Sequence, residues 1–359
     1  MEIEGEINNF MVVWTIAIAS LCYCHTIGKL IPKGKLRLLF FLPVILLFLL
    51  LPLRLTSIFL GGPSSFFLAW LSNFKLVLYA FDKGPLFPTP PLLHFIPLAC
   101  LPIRFHHKNP KNDQIPEKSH KSWIFAIKLL VLLTSKAVIE NKERMNPKLV
   151  MFMYSIYMYI ALETIFNFVS VLARMFLGVE LEPTFDEPYM STSLQDFWGR
   201  RWNTMVNRIM HPTVYVPVLS TCSHVIGRRW APLPAIIATF LASGLMHELI
   251  FYYIKREIRS WEAWEPTWDV TLFFLLHGVC LAVEVAVKKV VRGRWQLPAA
   301  VSGLMAAAFV MGTGVWLFVP SLDRCRADVK AWREIAAFIE LLKNVYGFFL
   351  PFPSFPSTK

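Results

Sequence analysis

The sequence predicts an all-α protein, a polytopic bundle of membrane-crossing helices, and three observations predict it. Of its 359 residues 55% are hydrophobic and only 17% charged, whereas a soluble domain has about a quarter of its residues charged. Phenylalanine and tryptophan are abundant, at 30 and 12 copies. Apolar runs near the roughly 20 residues needed to cross a bilayer recur along the chain.

The first run, 9–24, follows the acidic start MEIEGE. A secretory signal would begin with positive charge and end at a small-residue cleavage site, so this run is expected to stay as an anchor. The second is 36–52, LRLLFFLPVILLFLLLP, and further candidates are 65–81, 122–136, 149–172, 232–254, 270–287, 299–319 and 335–350. Eight or nine spans are expected. The segment 92–103, LLHFIPLACLPI, carries two prolines and is too short to cross, which makes it re-entrant or interfacial.

The polar interruption at 179–229 opens acidic and proline-rich and becomes aromatic and basic. It is too polar to cross and too rich in tryptophan for a free loop, so it is expected at the membrane surface. It separates an N-terminal transmembrane half, 1–178, from a C-terminal half, 230–359, within one integrated domain.

The net charge of +12 raises nucleic acid as a partner, but its distribution follows topology. Basic blocks lie at Lys29, Lys33, Lys35 and Arg37, along 104–121, at Arg200, Arg201, Arg208, Arg228 and Arg229, and at Lys288, Lys289, Arg292 and Arg294. With a lumenal N-terminus and a non-crossing 92–103, all four fall on the cytosolic side. The basic loop at 136–148 fits that orientation less well. Nucleic acid is therefore not an expected partner, and membrane lipids are. The six cysteines show neither zinc spacing nor a disulfide framework, so they read as buried thiols and no metal is expected.

Residues 241–253, LASGLMHELIFYY, put His247 and Glu248 in apolar surroundings, where an ionisable group is costly unless compensated or used. One turn before His247 stand Ser243 and Gly244. Two such small residues either leave a gap that admits a substrate to the imidazole or let another helix pack closely. Glu248 faces another way and reads as a protonated or arginine-paired carboxyl. HELIF is no zinc-protease motif, because H-E-x-x-H needs a second histidine where Phe251 stands.

The densest polar motif is LQDFWGRRWN, 194–203. Arg200 and Arg201 between Trp198 and Trp202 suit recognition of a phosphate or carboxylate, with Arg208 close behind. The Asn203 amide can donate to a developing oxyanion or hold a carbonyl. The alternative is an interfacial anchor within an aromatic belt. His277, in FFLLHGVC, could line the same cavity as His247 or be a core histidine bonded to a backbone carbonyl. Lys128 can snorkel, Glu284 and Lys288 can pair one turn apart, and Glu163 is a further intramembrane polar residue. His106 and His107 read as a solvated face, since H-H-x-x-x-D would need an aspartate where Lys111 stands. No G-x-S-x-G elbow offers a serine nucleophile.

A polytopic chain with DFWGRRWN followed by SGLMHELIFY resembles the membrane-bound O-acyltransferase superfamily. The stretches LLPLRL, FLGGP and NFKLVLYAFDKGPL resemble its plant wax synthase branch, the long-chain-alcohol O-fatty-acyltransferases, so the resemblance covers most of the chain. It implies acyl-CoA as co-substrate with no other cofactor, a long-chain fatty alcohol as acceptor, and residence in the endoplasmic reticulum. It also implies that His247 is catalytic and Asn203 assists. Plant sterol acyltransferases fall inside the same branch and are the alternative. A transporter, with His247, Glu248 and Glu163 along a polar path, is the competing class.

Overall fold

A computed structural model describes residues 3–102, 122–177, 184–256, 266–291 and 297–349; the basic block at 104–121, with His106 and His107, and Arg292 and Arg294 lie outside the described residues. The described residues are helical with no strand. Six helical stretches among them are long and apolar enough to cross a membrane: Glu4–Leu30, Lys35–Arg54, Pro147–Asn167, Pro232–Lys255, Asp269–Val291 and Ala299–Arg324.

Three expected spans do not appear among those six. The 65–81 stretch lies within α3 (Ile58–Ser65), a wide π-helical turn (Phe66–Ser72) and α4 (Asn73–Ala80), preceded by α1 (Ile3–Leu30) and α2 (Lys35–Leu50). It buries Ser65, Ser72, Asn73 and Lys75 against neighbouring helices. Lys75 donates through Nζ to the carbonyls of Leu98 and Leu101, 2.5 and 2.6 Å away, closing the C-terminal end of α5 (Leu92–Cys100). That helix has nine residues, too few to cross a bilayer. The 122–136 stretch forms α6 (Ser122–Glu140), which lies against α7 (Pro147–Leu177). The 335–350 stretch continues a helix on which Lys330, Arg333, Glu334 and Glu340 alternate with apolar residues.

The packing is that of a chain solvated by lipid. On α2 the side chains of Phe41, Val44 and Phe48 point into a core shared with α1, α4 and α5, while Leu39, Leu42, Leu46 and Leu50 form an exposed stripe. Water would penalise that stripe, and acyl chains do not.

Short elements follow α7: α8 (Leu194–Asp196), a wide turn (Phe197–Arg201), α9 (Thr204–Met210), a second wide turn (His211–Tyr215) and α10 (Val216–Ile226). The long helices α11 (Pro232–Lys255) and α12 (Asp269–Val291) come next, then α13 (Ala299–Thr313), a wide turn (Gly314–Phe318), α14 (Val319–Arg324) and α15 (Ala327–Phe349).

Two buried carboxylates fix the start of α3. Glu6 on α1 accepts from the amides of Thr56 and Ser57, and Glu334 on α15 accepts from those of Ile58 and Phe59 and from the Ser57 hydroxyl. The Leu60 amide donates to Ser57 Oγ. Every free donor of that helix end is thus satisfied, with negative charge at the positive end of its dipole. One turn before Glu334, Lys330 donates to the carbonyls of Ile254 and Lys255 at the C-terminus of α11. A single face of α15 therefore ties the beginning of α3 to the end of α11, and Tyr253 and Arg256 add bonds from α11 to the carbonyls of Leu49 and Leu53.

Elsewhere the Glu284–Lys288 pair forms at 2.6 Å. Lys128, expected to snorkel, instead pairs with Glu163 at 2.6 Å across α6 and α7. All six cysteines are free thiols; Cys24, Cys100 and Cys325 are buried.

Candidate active site

Helices α11 and α12 approach closely because each presents a glycine to the other. A Cβ on Gly244 would lie 2.9 Å from Thr271 Cα, and one on Gly278 would lie 2.7 Å from Phe240 Cβ. Both distances are shorter than real side chains show, so glycine is what permits this contact. The space beside Gly244 thus belongs to α12. The approach brings Phe274 to 4.4 Å, centroid to centroid, from the His247 ring.

His247 is half-buried, and its Nδ1 is 2.8 Å from the carbonyl of Ser243 one turn back. A carbonyl only accepts, so in the neutral ring Nδ1 carries the proton and Nε2 carries the lone pair. Among the described residues no hydrogen bond reaches that Nε2. Trp70 and Phe318 complete the surroundings, 5.2 and 5.9 Å away. Glu248 is buried and turned toward α12, where its carboxylate accepts from the Thr271 amide at 3.3 Å. Its partner is a helix N-terminus, and among the described residues no arginine pairs with it.

His277 is fully buried. The Trp198 indole N–H donates to its Nδ1 at 3.0 Å, which puts the ring proton on Nε2, and Nε2 donates to Thr313 Oγ1 at 2.8 Å. The Thr313 hydroxyl in turn donates to the Phe309 carbonyl at 2.7 Å. Both nitrogens are occupied, by an indole and a hydroxyl.

The aromatic residues of 194–203 turn inward. Trp198 packs against Phe240, Phe273 and Phe274, and Trp202 stacks on Phe197 at 5.4 Å. Asn203 sits in the left-handed region at φ 43°, which asparagine tolerates better than other non-glycine residues, and its Oδ1 caps α9 by accepting from the Val206 amide at 3.3 Å. No hydrogen bond from its Nδ2 is made among the described residues. Arg201 is tied down locally, donating to Asp196 Oδ2 at 2.9 Å and to the carbonyls of Asp186 and Glu187. Burial pushes the Asp196 carboxyl up, but the Thr192 amide and the Arg201 and Arg200 guanidinium groups outweigh it and hold the carboxyl below its ordinary value. Arg200 and Arg208 are exposed.

The rings close into a circuit that the sequence did not reveal. From His247 it runs through Phe274 to Trp198 (5.9 Å), to Trp202 (6.2 Å) and to Phe185 (5.1 Å). It returns through Phe166 (6.2 Å), Phe66 (6.3 Å) and Trp70 (5.3 Å) to His247. Phe274 and Trp70 are buried and the other six rings are partly accessible. Wide turns supply Phe66, Trp70 and Trp198 to it and add Phe318 beside His247. Such turns recur at functional sites because they re-aim side chains without breaking a helix. The aromatic density of FFLAW was the only sequence sign of the Phe66 and Trp70 contribution. Among the described residues no three of His, Cys, Asp and Glu group as metal ligands.

The arrangement offers a free imidazole nitrogen, an unused amide donor and an apolar wall, which suits proton abstraction from a hydroxyl in a lipid-soluble molecule. The profile of the membrane bound O-acyl transferase family matches residues 181–276, the stretch holding Trp198, Asn203 and His247. The chain is 45% identical to the long-chain-alcohol O-fatty-acyltransferase of Simmondsia chinensis, over 93% of this chain and 95% of that protein. It is 42% identical to the probable long-chain-alcohol O-fatty-acyltransferase 1 of Arabidopsis thaliana (95% and 98% covered) and 41% identical to that plant's acyl-CoA–sterol O-acyltransferase 1 (92% and 94%). The chain therefore belongs to the membrane bound O-acyl transferase family, in its branch of plant long-chain-alcohol O-fatty-acyltransferases.

Proposed function

We propose that the protein transfers an acyl group from acyl-CoA to a long-chain fatty alcohol, making a wax ester in the membrane of the endoplasmic reticulum. The observation that carries the mechanism is the Ser243 carbonyl on His247 Nδ1, which leaves Nε2 to act as base. Nε2 takes the hydroxyl proton while the alcohol oxygen attacks the thioester carbonyl. The Asn203 amide donates to the oxyanion that forms. When the tetrahedral intermediate collapses, the C–S bond breaks and the imidazolium returns its proton to the departing thiolate, giving ester and free CoA.

The apolar wall keeps water, the competing nucleophile, away from the thioester. It also suits both substrates, since each buried CH₂ contributes about 0.8 kcal/mol. Exposed Arg200 and Arg208 are the proposed contacts for the CoA phosphates. Microsomes carrying the protein, fed labelled acyl-CoA with fatty alcohols and sterols, test the reading by thin-layer chromatography. Wax ester supports it. Steryl ester moves the protein to the weaker reading, for which the 41% identical relative speaks. No ester, with flux across sealed vesicles, returns it to transport. Co-migration with reticulum markers on a density gradient tests the location.

A further inference from the structure

Two basic blocks that are distant in sequence meet on the surface. Arg228 and Arg229, both exposed, stand at the turn between α10 and α11, and Lys289 near the end of α12 donates through Nζ to the Arg229 carbonyl at 2.7 Å. The Arg229 guanidinium rests over the Trp230 ring, 5.2 Å from its centroid. Among the described residues none of these three cations pairs with a carboxylate; Glu284 on α12 is spent on Lys288 and on the amides of Leu194 and Gln195. The cluster adjoins apolar surface. Val283, Val287 and Val290, spaced four and three apart, form one exposed stripe that runs to the basic end of α12, and Val225 and Ile226 are exposed where α10 ends.

We infer that the α10–α11 turn and the end of α12 bind the headgroup of an anionic phospholipid, whose acyl chains lie along the valine stripe. Water would penalise those exposed valine and isoleucine side chains, and acyl chains accommodate them. Where such a stripe gives way to cations, the surface has reached the level of the lipid phosphates. The positive-inside bias accounts for basic residues on one side of a membrane, but not for uncompensated cations from segments 60 residues apart gathered at one spot. A guanidinium can donate two N–H bonds to a phosphodiester, and the Lys289 ammonium has donors beyond the one given to Arg229. A zwitterionic headgroup brings an ammonium of its own, which these cations repel.

The test needs no turnover. The purified full chain in neutral detergent is titrated with dioleoyl phosphatidylglycerol, whose phosphodiester is its only charge, or with dioleoyl phosphatidylcholine, and the first bound lipid is followed by native mass spectrometry. Phosphatidylglycerol should bind more tightly. Replacing both Arg228→Gln and Lys289→Gln should raise its Kd about thirtyfold, about fivefold for each basic group lost at an anionic headgroup, and leave that of phosphatidylcholine within about twofold. Arg228→Gln alone, at an exposed side chain, should raise it about fivefold with an unchanged size-exclusion profile. Lys33→Gln with Lys35→Gln removes the same charge from the exposed α1–α2 turn and should leave both values within about twofold. An equal rise in that control would reduce the effect to net charge and overturn the inference, as would equal affinity for the two lipids. Displacement of phosphatidylglycerol by unacylated CoA would also overturn it, by assigning the cluster to a soluble phosphate ligand.

Discussion

His247 and His277 sit on adjacent helices that pack glycine to glycine, both among phenylalanine and tryptophan rings, and Phe274 touches the first while Trp198 links that ring to the second. Their nitrogens differ. His277 is closed to solvent and spends both nitrogens on Trp198 and Thr313. His247 spends only Nδ1, on its own helix, and keeps some accessibility. Burial among aromatic residues therefore does not by itself identify a base. What distinguishes the two is a count of partners: an imidazole bonded at both nitrogens organises the core, and one bonded at a single nitrogen has a lone pair to use.

The largest effect should come from His247→Ala. Ester formation per folded molecule is expected to fall about 10²- to 10⁴-fold, with the thermal midpoint changed less than by His277→Ala, because the only hydrogen bond lost is one within α11. Labelled-product assays with fluorescence-detected size exclusion check both halves. Comparable turnover in this variant would erase the distinction between the two histidines.

Asn203→Asp sharpens the comparison from the other side of the circuit. Aspartate keeps the cap on α9 and tolerates the left-handed backbone, but it removes the amide donor. Activity should fall about 10²- to 10³-fold while stability stays within about 0.5 kcal/mol. An equal loss of fold would make Asn203 a cap and nothing more.

His277→Ala should behave in the opposite sense. It strands the Trp198 indole and the Thr313 hydroxyl in the core, so unfolding should become easier by about 2–4 kcal/mol, with turnover per folded molecule changed less than about tenfold. Denaturation in detergent, paired with activity normalised to folded protein, measures both.

The smallest effect concerns the Asp196–Arg201 pair that shapes the turn carrying Trp198. The carboxyl is held below its ordinary value when folded, so its stabilisation is present above the unfolded value, about 4, and is lost as pH falls through the lower folded value. With both partners partly exposed it amounts to about 1 kcal/mol. Asp196→Asn should lower the thermal midpoint at pH 7 and converge with the unaltered protein as the pH drops well below 4. A constant gap across that range would show that the pair contributes through packing alone.

The helical, membrane-crossing character was legible because apolar runs of bilayer length have few other uses. His247 and the Trp-Arg-Asn segment were legible too, since an ionisable group in lipid and a knot of tryptophan and arginine both stand out against such a background. The span count was less so: a helix that is interrupted by a wide turn and buries Lys75 reads in sequence like any other apolar run. The partners of His247 were hidden for a related reason. Trp70 and Phe318 lie 177 residues before it and 71 after it, and in a chain this rich in aromatic residues no local pattern marks the few that meet. Lys128 and Glu163 were each visible as polar residues in apolar runs, but only the pairing of α6 with α7 joins them.

The most direct measurement is ester formed per folded molecule by His247→Ala and His277→Gln proteins, assayed side by side in vesicles of one composition. Glutamine can still accept from Trp198 or donate to Thr313, so the fold survives for comparison. Loss of product in the first and retention in the second is the predicted result. Product from the first with none from the second would contradict the assignment of the open nitrogen as the base.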